Sequence, residues 1–413
     1  MGNNGYLKFI LTALVLAIVF FGYMLVTAVD RVRESNLRLL AKLDELPGRI
    51  SVTAPAAVPA QAAAIRREPF ANAEFFDPSA QTGGRMIQAT IADTANMNYL
   101  INTEATAGEF WNLCNSSLAG INFEKPDEYE PQMAESWSIS DDHKVYRIKL
   151  RKGIYWHDFT DPVTGKEHRN VEVTAEDFKF FVDVVKNPEV NCGPMRVYYQ
   201  DLESVEILGR YEFEVRWSRE YYGSKASTLG LSPLPRHLYH AYDGPFDGKK
   251  FNEDHIRNRM IVGCGPYQFV KWEKDRRVVF RRNPRYFGLR YGAGPSLDYL
   301  VYEIIKHPNT RFQALLSGEL DQLGLSPDQW IQRADEKPFK DGTLKRYKYL
   351  LPQYTYIGWN LRNPLFSDAR VRRALTMLID RERIRKDVYF DLAEIIAGPF
   401  FVCGLGEDDF CSL

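Results

Sequence analysis

Pro131-Gln-Met-Ala-Glu-Ser-Trp137 runs into Ser140-Asp-Asp-His-Lys-Val-Tyr146 and then into Leu150-Arg-Lys-Gly-Ile-Tyr-Trp-His-Asp158. Within this stretch Tyr146, Ile148 and Leu150 alternate with Arg147 and Lys149, the period of a strand with one face in a core. Working outward, Tyr211, Phe213, Val215 and Trp217 alternate in the same way with Glu212, Glu214 and Arg216. Gly209-Arg210, after Val205 to Leu208, reads as a two-residue hairpin turn, so 205–208 should pair with 211–217. Between these strands Thr174-Ala-Glu-Asp177 has the form of a capping box, followed by Phe178, Phe181, Val182 and Val185 at helical spacing and a stop at Pro188. Further on, Asn309 or Thr310 opens a helix carrying Phe312, Leu315 and Leu316 to Gly318. Ser367 is placed to cap one whose apolar stripe is Val371, Ala374, Leu375, Leu378 and Ile379, with Asp380 capping the next. Strands and helices alternate without an internal repeat, which places the chain in the mixed α/β (α+β) class.

The N-terminal end has a different character. Phe9 to Val29 is a run of 21 residues without a charge, long enough to cross a bilayer core of ~30 Å. A cleaved signal peptide has an apolar region of only ~7–15 residues, so an uncleaved transmembrane anchor is the preferred reading and a cleaved signal the alternative. Lys8 precedes the run, whereas Arg31, Arg33, Arg38 and Lys42 follow it, a distribution that opposes an exported C-terminal side. Val32, Asn36, Leu39, Leu43 and Leu46 form two heptads, a basis for weak homodimerisation of a juxtamembrane helix. Pro47-Gly48 ends the pattern, and the Ala/Pro-rich stretch that follows is a linker. The segments are therefore a tail at 1–8, the span at 9–29, a juxtamembrane helix at 30–46, a linker at 47–84 and the folded part from 85.

The 413 residues carry 53 Lys plus Arg against 54 Asp plus Glu, a net charge of -1, so no overall field favours nucleic acid. Cys114, Cys192, Cys264, Cys403 and Cys411 include no C-x-x-C pair; a zinc centre is not expected, and an odd count leaves at least one thiol unpaired. There is no G-x-S-x-G, no phosphate-binding G-x-x-x-x-G-K-[ST] and no H-E-x-x-H, which leaves an enzyme without an anchor. Gly263-Cys264-Gly265 precedes Pro266 and an apparent strand at Tyr267 to Trp272, and so reads as a tight turn rather than a phosphate loop. His157-Asp158 with His168 could form a metal pair, but Pro162 and Gly165 intervene and the preferred reading is a polar loop. Neither a metal nor a cofactor is assigned. Tyr198-Tyr199, Tyr221-Tyr222, Tyr354, Tyr356 and Trp359 are aromatics that could line a ligand pocket or pack in a core.

Four stretches together resemble the extracytoplasmic solute-binding proteins of family 5, the peptide- and nickel-type binding proteins of ABC importers. The segment 131–158 with Thr174-Ala-Glu-Asp-Phe178 is similar to that family's "P-x-L-A-E-S-W…S-D-D-G-x-x-Y…W-H-D-G…T-A-E-D-V" pattern. Gly263-Cys-Gly-Pro-Tyr267 with Arg281-Arg-Asn-Pro-Arg-Tyr-Phe287 resembles "G-T-G-P-Y…R-N-P-x-Y-W". Leu315-Leu-Ser-Gly-Glu-Leu-Asp321 is the third stretch, and Tyr356-Ile-Gly-Trp-Asn-Leu-Arg362 with Pro364 to Leu375 the fourth. The resemblance implies a periplasmic-binding-protein-like fold with two lobes around a cleft and an extra sheet domain on the first. Lobe I would comprise 85–121 and 231–306, the extra domain 122–230 and lobe II 307–413. Ligand contacts are implied at Ser116, Ser117 and Leu118 of lobe I and at Tyr356, Trp359 and Asn360 of lobe II.

Asn115-Ser116-Ser117-Leu118 stands where the family commonly has "Y-E-G-L", and Cys264 where it has Thr. The segment that supplies the carboxylate for a peptide's amino terminus would follow the last match, Glu394 to Phe400. Phe401 to Leu413 is unlike the family, so an incomplete second lobe is expected. The implied function is that of a membrane-anchored, periplasm-facing protein of the bacterial inner membrane that binds an oligopeptide or similar small solute and delivers it to ABC permease subunits. The alternative is a sensory or structural derivative that keeps the fold as an interaction module.

Overall fold

The computed structural model describes residues 80–122, 128–239, 246–333, 335–348 and 354–396. The span at 9–29, the heptads at 30–46, almost all of the linker, Cys403 and Cys411 lie outside the described residues. Among the described residues, no helix is long and apolar enough to cross a membrane.

The stretch 131–158 builds the strands that the alternation predicts. β4 (Ala134–Ile139) and β5 (Val145–Leu150) lie beside β9 (Glu212–Trp217) and β8 (Leu202–Gly209) in an antiparallel sheet of order β4-β5-β9-β8. Tyr146 stands opposite Val215 and Ile148 opposite Phe213, and all four side chains are buried while Arg147 and Lys149 are exposed. On the outer face the Arg147 guanidinium meets Glu212 at 2.7 Å. The β8–β9 turn falls one residue later than the sequence suggests, at Arg210-Tyr211, because an irregularity between Ile207 and Gly209 shifts the register. A helix, α2 (Ala175–Lys186), covers the inner face with Phe178 stacked on Phe213 at 5.3 Å. Its capping box forms as expected, with the Asp177 carboxylate accepting the Thr174 amide at 2.8 Å.

The second sheet has order β1-β12-β11-β10. β1 (Arg85–Thr90) runs parallel to β12 (Tyr299–Ile304), which pairs antiparallel with β11 (Arg277–Arg282) and through it with β10 (Tyr267–Glu273). The helix α1 (Ala105–Cys114) lays Phe110 against Phe280 at 5.1 Å and Tyr302 at 4.8 Å. The buried residues of both sheets, from Trp137 and Phe213 to Phe280 and Tyr302, form one continuous core. The two sheets are thus joined through shared apolar contacts.

Beyond β12, the helix α5 (Pro308–Leu316) starts a residue or two before Asn309 or Thr310, because proline suits the first helical position. Ala314, Leu315 and Leu320 form a small core with Ile87, Ala89 and Ile305. The Asp321 amide donates to Ile87 O at 2.8 Å and its carboxylate accepts the Ile87 amide at 2.7 Å. The opening of 307–413 therefore sits on β1. Further along, Asp368 rather than Ser367 caps α6 (Ala369–Met377), its carboxylate accepting the Arg370 amide, and Asp380 caps α7 (Arg381–Asp387) as expected.

Candidate functional site

The first two family-like stretches, distant in sequence, meet in one knot beneath Asn115–Leu118. Gly263-Cys264-Gly265 lies flat on the end of α1: the Gly265 amide donates to Cys114 O at 2.7 Å, and a Cβ on Gly263 would stand 1.9 Å from the same oxygen. Glycine is required here for close backbone approach. From the other side the His157 amide donates to Gly263 O at 2.7 Å, its Nε2 meets Gly265 O at 3.1 Å, and its Nδ1 accepts the Gly263 amide at 3.3 Å. This pattern fixes a neutral ring protonated on Nε2. Burial accordingly holds the His157 pKa down to about 4. Asn283, from the Arg-Asn-Pro motif, closes the knot by donating its amide side chain to Gly265 O at 2.9 Å and its backbone N–H to Pro266 O at 2.8 Å. Asp158 pairs with Arg285 at 2.7 Å. The polar-loop reading of His157 is corrected: the residue is 5% exposed and its ring is spent on backbone groups.

Ser116 is buried near Tyr286 and Cys264, and burial pushes both of those groups up to about 12. Cys264 is thus a packed thiol in a thiol-and-thioether environment, 4.0 Å from Met133 Sδ. Ser117 O accepts the Met133 amide at 3.2 Å, and its hydroxyl donates to Ala119 O at 2.7 Å. Leu118 is fully buried, its amide bonded to Leu231 O and its carbonyl accepting from Gln132 and Ala134. Asn115 donates to Trp111 O at 3.3 Å, while its Oδ1 is buried without a partner among the described residues. The arrangement is a rigid, polar-edged shelf. Neither a nucleophile–base pair nor a metal-ligand set belongs to it.

Tyr356, Trp359 and Asn360 lie in a separate extended stretch. Tyr356 is 73% exposed and packs on Tyr354 at 5.7 Å, Trp359 leans on Phe366 at 5.3 Å, and Asn360 Oδ1 accepts the Arg362 amide. No hydrogen bond or ring contact among the described residues joins this set to Ser116–Leu118. The other aromatics are dispersed, with Tyr199 in the core against Phe181 and Tyr198 and Tyr222 in solvent.

Sequence reasoning missed two buried polar features. Arg257 makes a bidentate pair with Asp161 (3.0 and 3.2 Å) and a second with Asp254 (2.9 Å), tying the 159–168 arm to the segment 254–257. Burial works to raise the Asp161 carboxyl, but the Thr164 and Val163 amides and Arg257 outweigh it and hold the pKa below the usual range. A cavity of about 720 Å³ opens on the extra domain, lined by Tyr155, Glu172, Thr174, Asp177, Arg236 and His237 among others. Burial pushes the Asp177 carboxyl up to about 6 and the His237 ring down to about 4. Charged residues at no recognisable spacing gave no signal for either feature; the Trp-His-Asp and Arg-Asn-Pro motifs could have signalled the knot.

Residues 128–402 match the profile of the bacterial extracellular solute-binding proteins, family 5, middle region. The oligopeptide-binding protein AppA of Bacillus subtilis (strain 168) is 29% identical over 314 residues, 75% of this chain and 52% of that protein. Di/tripeptide-binding protein 2 of Pseudomonas aeruginosa (strain UCBPP-PA14) is 28% identical, covering 68% of this chain and 51% of that protein. The chain thus spans about half the length of these relatives. Among solved structures, AppA in complex with a nonapeptide superposes with a TM-score of 0.61 at 24% identity, over 75% of this chain and 56% of that one. NikZ from Campylobacter jejuni in complex with Ni(L-His) gives a TM-score of 0.60 at 26% identity, over 76% and 57%. With two-thirds of its length matched, the chain belongs to the bacterial extracellular solute-binding proteins of family 5.

Proposed function

We propose that this chain contributes to non-covalent capture of an oligopeptide or similar small solute, on the extracytoplasmic side, for delivery to an ABC permease, and that it is not an enzyme. The observation that carries the reading is the shelf at Asn115–Leu118, braced from beneath by three motifs distant in sequence. A preorganised backbone segment lowers the ordering cost of binding an extended ligand, which supplies backbone groups of its own. Ser116, Ser117 and Leu118 would form the lobe I side, with Tyr356, Trp359 and Asn360 opposite when the lobes close. Membrane attachment through 9–29 and weak self-association through 30–46 belong to the same proposal. The relatives named above support it through the peptides in their names.

The test is a thermal melt of the full chain with and without a pool of di- to hexapeptides. A ligand at about 100 times its dissociation constant adds about 2.7 kcal/mol to native stability, so the midpoint should rise. A sharp transition that no peptide moves overturns the reading. A second reading, altered or lost solute affinity in an interaction module, draws on Ser117, whose hydroxyl is tied to Ala119 O where the family pattern has glycine.

A further inference from the structure

The fold turns His157 into the glycine knot and sets His168 beside a different ring. His168 ends β7 (Glu167–His168), the second strand of the arm that begins with β6 (Phe159–Thr160), and His237 lies in the short helix α4 (Arg236–Tyr239). Their ring centroids are 5.2 Å apart, with planes at 50°. Phe159 stacks on His168 at 4.8 Å and also touches His237 at 5.3 Å, and Trp156 closes the far side at 5.7 Å. Both ring nitrogens of His237 are buried with no hydrogen-bond partner among the described residues. The half-buried His168 ring has stacking contacts there and no hydrogen bond.

An imidazole always carries a donor, and when neutral an acceptor as well. A buried ring with neither satisfied requires an explanation, and an ion or water is a standard one. The spacing of the two rings is compatible with an ion. With metal–nitrogen bonds of about 2.0–2.1 Å, a ring centroid stands about 3.2 Å from the ion, so two imidazoles on one tetrahedral ion have centroids about 5.2 Å apart. His237 lines the cavity of about 720 Å³ together with Asp177 and Glu172.

We propose that His168 and His237 form a two-imidazole site for a first-row divalent transition metal such as zinc, which clips the β6–β7 arm to α4. Among the described residues, no three metal-ligating side chains converge. The ion therefore keeps solvent oxygens in its remaining positions and exchanges more readily than in a closed structural centre. Such an ion would act on the arm that the Arg257–Asp161 pair already holds to the segment 254–257, adding a second, metal-dependent tie.

The experiment is calorimetric titration of zinc chloride into chelator-stripped full chain near neutral pH, paired with thermal melts. Saturable one-to-one binding and a raised midpoint are expected. His168→Gln and His237→Gln should each weaken binding about tenfold or more, whereas His143→Gln and His255→Gln leave it unchanged. His237→Gln could disturb the core, so His168→Gln decides: its metal-free midpoint should match the parent's while the zinc-dependent rise disappears. Absence of saturable binding, or binding that survives His168→Gln undiminished, overturns the site and leaves His237 to a buried water.

Discussion

Replacing Gly263 by alanine tests the knot most directly. The added methyl would lie 1.9 Å from Cys114 O and 2.6 Å from its carbonyl carbon, both backbone atoms at the end of α1. No rotamer change relieves such a clash, so the turn must move away. That shift breaks the 2.7 Å bond from the Gly265 amide to Cys114 O and loosens the two ring contacts of His157. Overpacking costs about 1–3 kcal/mol and each buried hydrogen bond lost about 1 kcal/mol, so a loss of about 3–4 kcal/mol is expected. Urea unfolding of the full chain followed by tryptophan fluorescence reads this as a fall in midpoint at unchanged slope. Gly324→Ala is the control: nothing lies within 4 Å of its Cβ and its φ is not positive, so it should be neutral or stabilise by up to about 1 kcal/mol. A Gly263→Ala protein within 1 kcal/mol of the parent would refute the packed turn. Because the turn braces Asn115–Leu118, the peptide-induced rise in midpoint should also shrink.

The His157 pKa near 4 lies below the ordinary histidine value, so the fold prefers the neutral ring. That contribution is fully present above about pH 6.5, is lost as pH falls through about 4, and is of order 3 kcal/mol. Urea midpoints measured from pH 7 to pH 4 should show the loss, and His157→Gln should flatten it. Asp177 acts in the opposite sense, since a carboxyl raised to about 6 removes stability as pH rises from about 4 to 6. Asp177→Asn should therefore stabilise the protein above pH 6, by roughly 1–3 kcal/mol, and a loss there would contradict the assignment. Arg257→Met strands two buried carboxylates and should cost about 3–5 kcal/mol by the same assay; a cost no larger than that of an exposed pair would show that Asp161 is solvated. Limited proteolysis should cut first between 354 and 396 and spare 307–325, which is bound to β1 by Leu315, Leu320 and Asp321; an early cut before Leu315 would contradict that docking.

Local patterns were legible where one physical cause dominates. Tyr146, Ile148 and Leu150 alternate because one sheet face is buried, and the structure buries those three. Thr174 and Asp177 cap a helix because its free amides need acceptors nearby in sequence. Boundaries slipped where neighbouring residues compete for one role, as with Asp368 displacing Ser367, since the stronger acceptor takes the Arg370 amide. The knot was legible only as a pattern of motifs. Alternation and spacing do not say that His157, Gly263 and Asn283 meet, because their contacts are set by how two sheets share a core.

The same distinction explains the two halves of the candidate site. Ser117 and Leu118 are fixed by backbone bonds to Met133, Gln132, Ala134 and Leu231, so their geometry is over-determined. Tyr356, Trp359 and Asn360 contact residues within a few positions of themselves, and the α6 stripe keeps Leu378 79% exposed. An amphipathic pattern specifies which face of a helix is apolar but not what lies against it. Residues 117–118 are therefore held in shape by packing against distant parts of the chain, whereas 356–360 are supported only by their neighbours in sequence. A peptide should accordingly slow amide exchange more at 356–360 than at Leu118, whose amide is already bonded to Leu231 O. Equal protection gains at both would show that the shelf is ordered by the ligand rather than ahead of it.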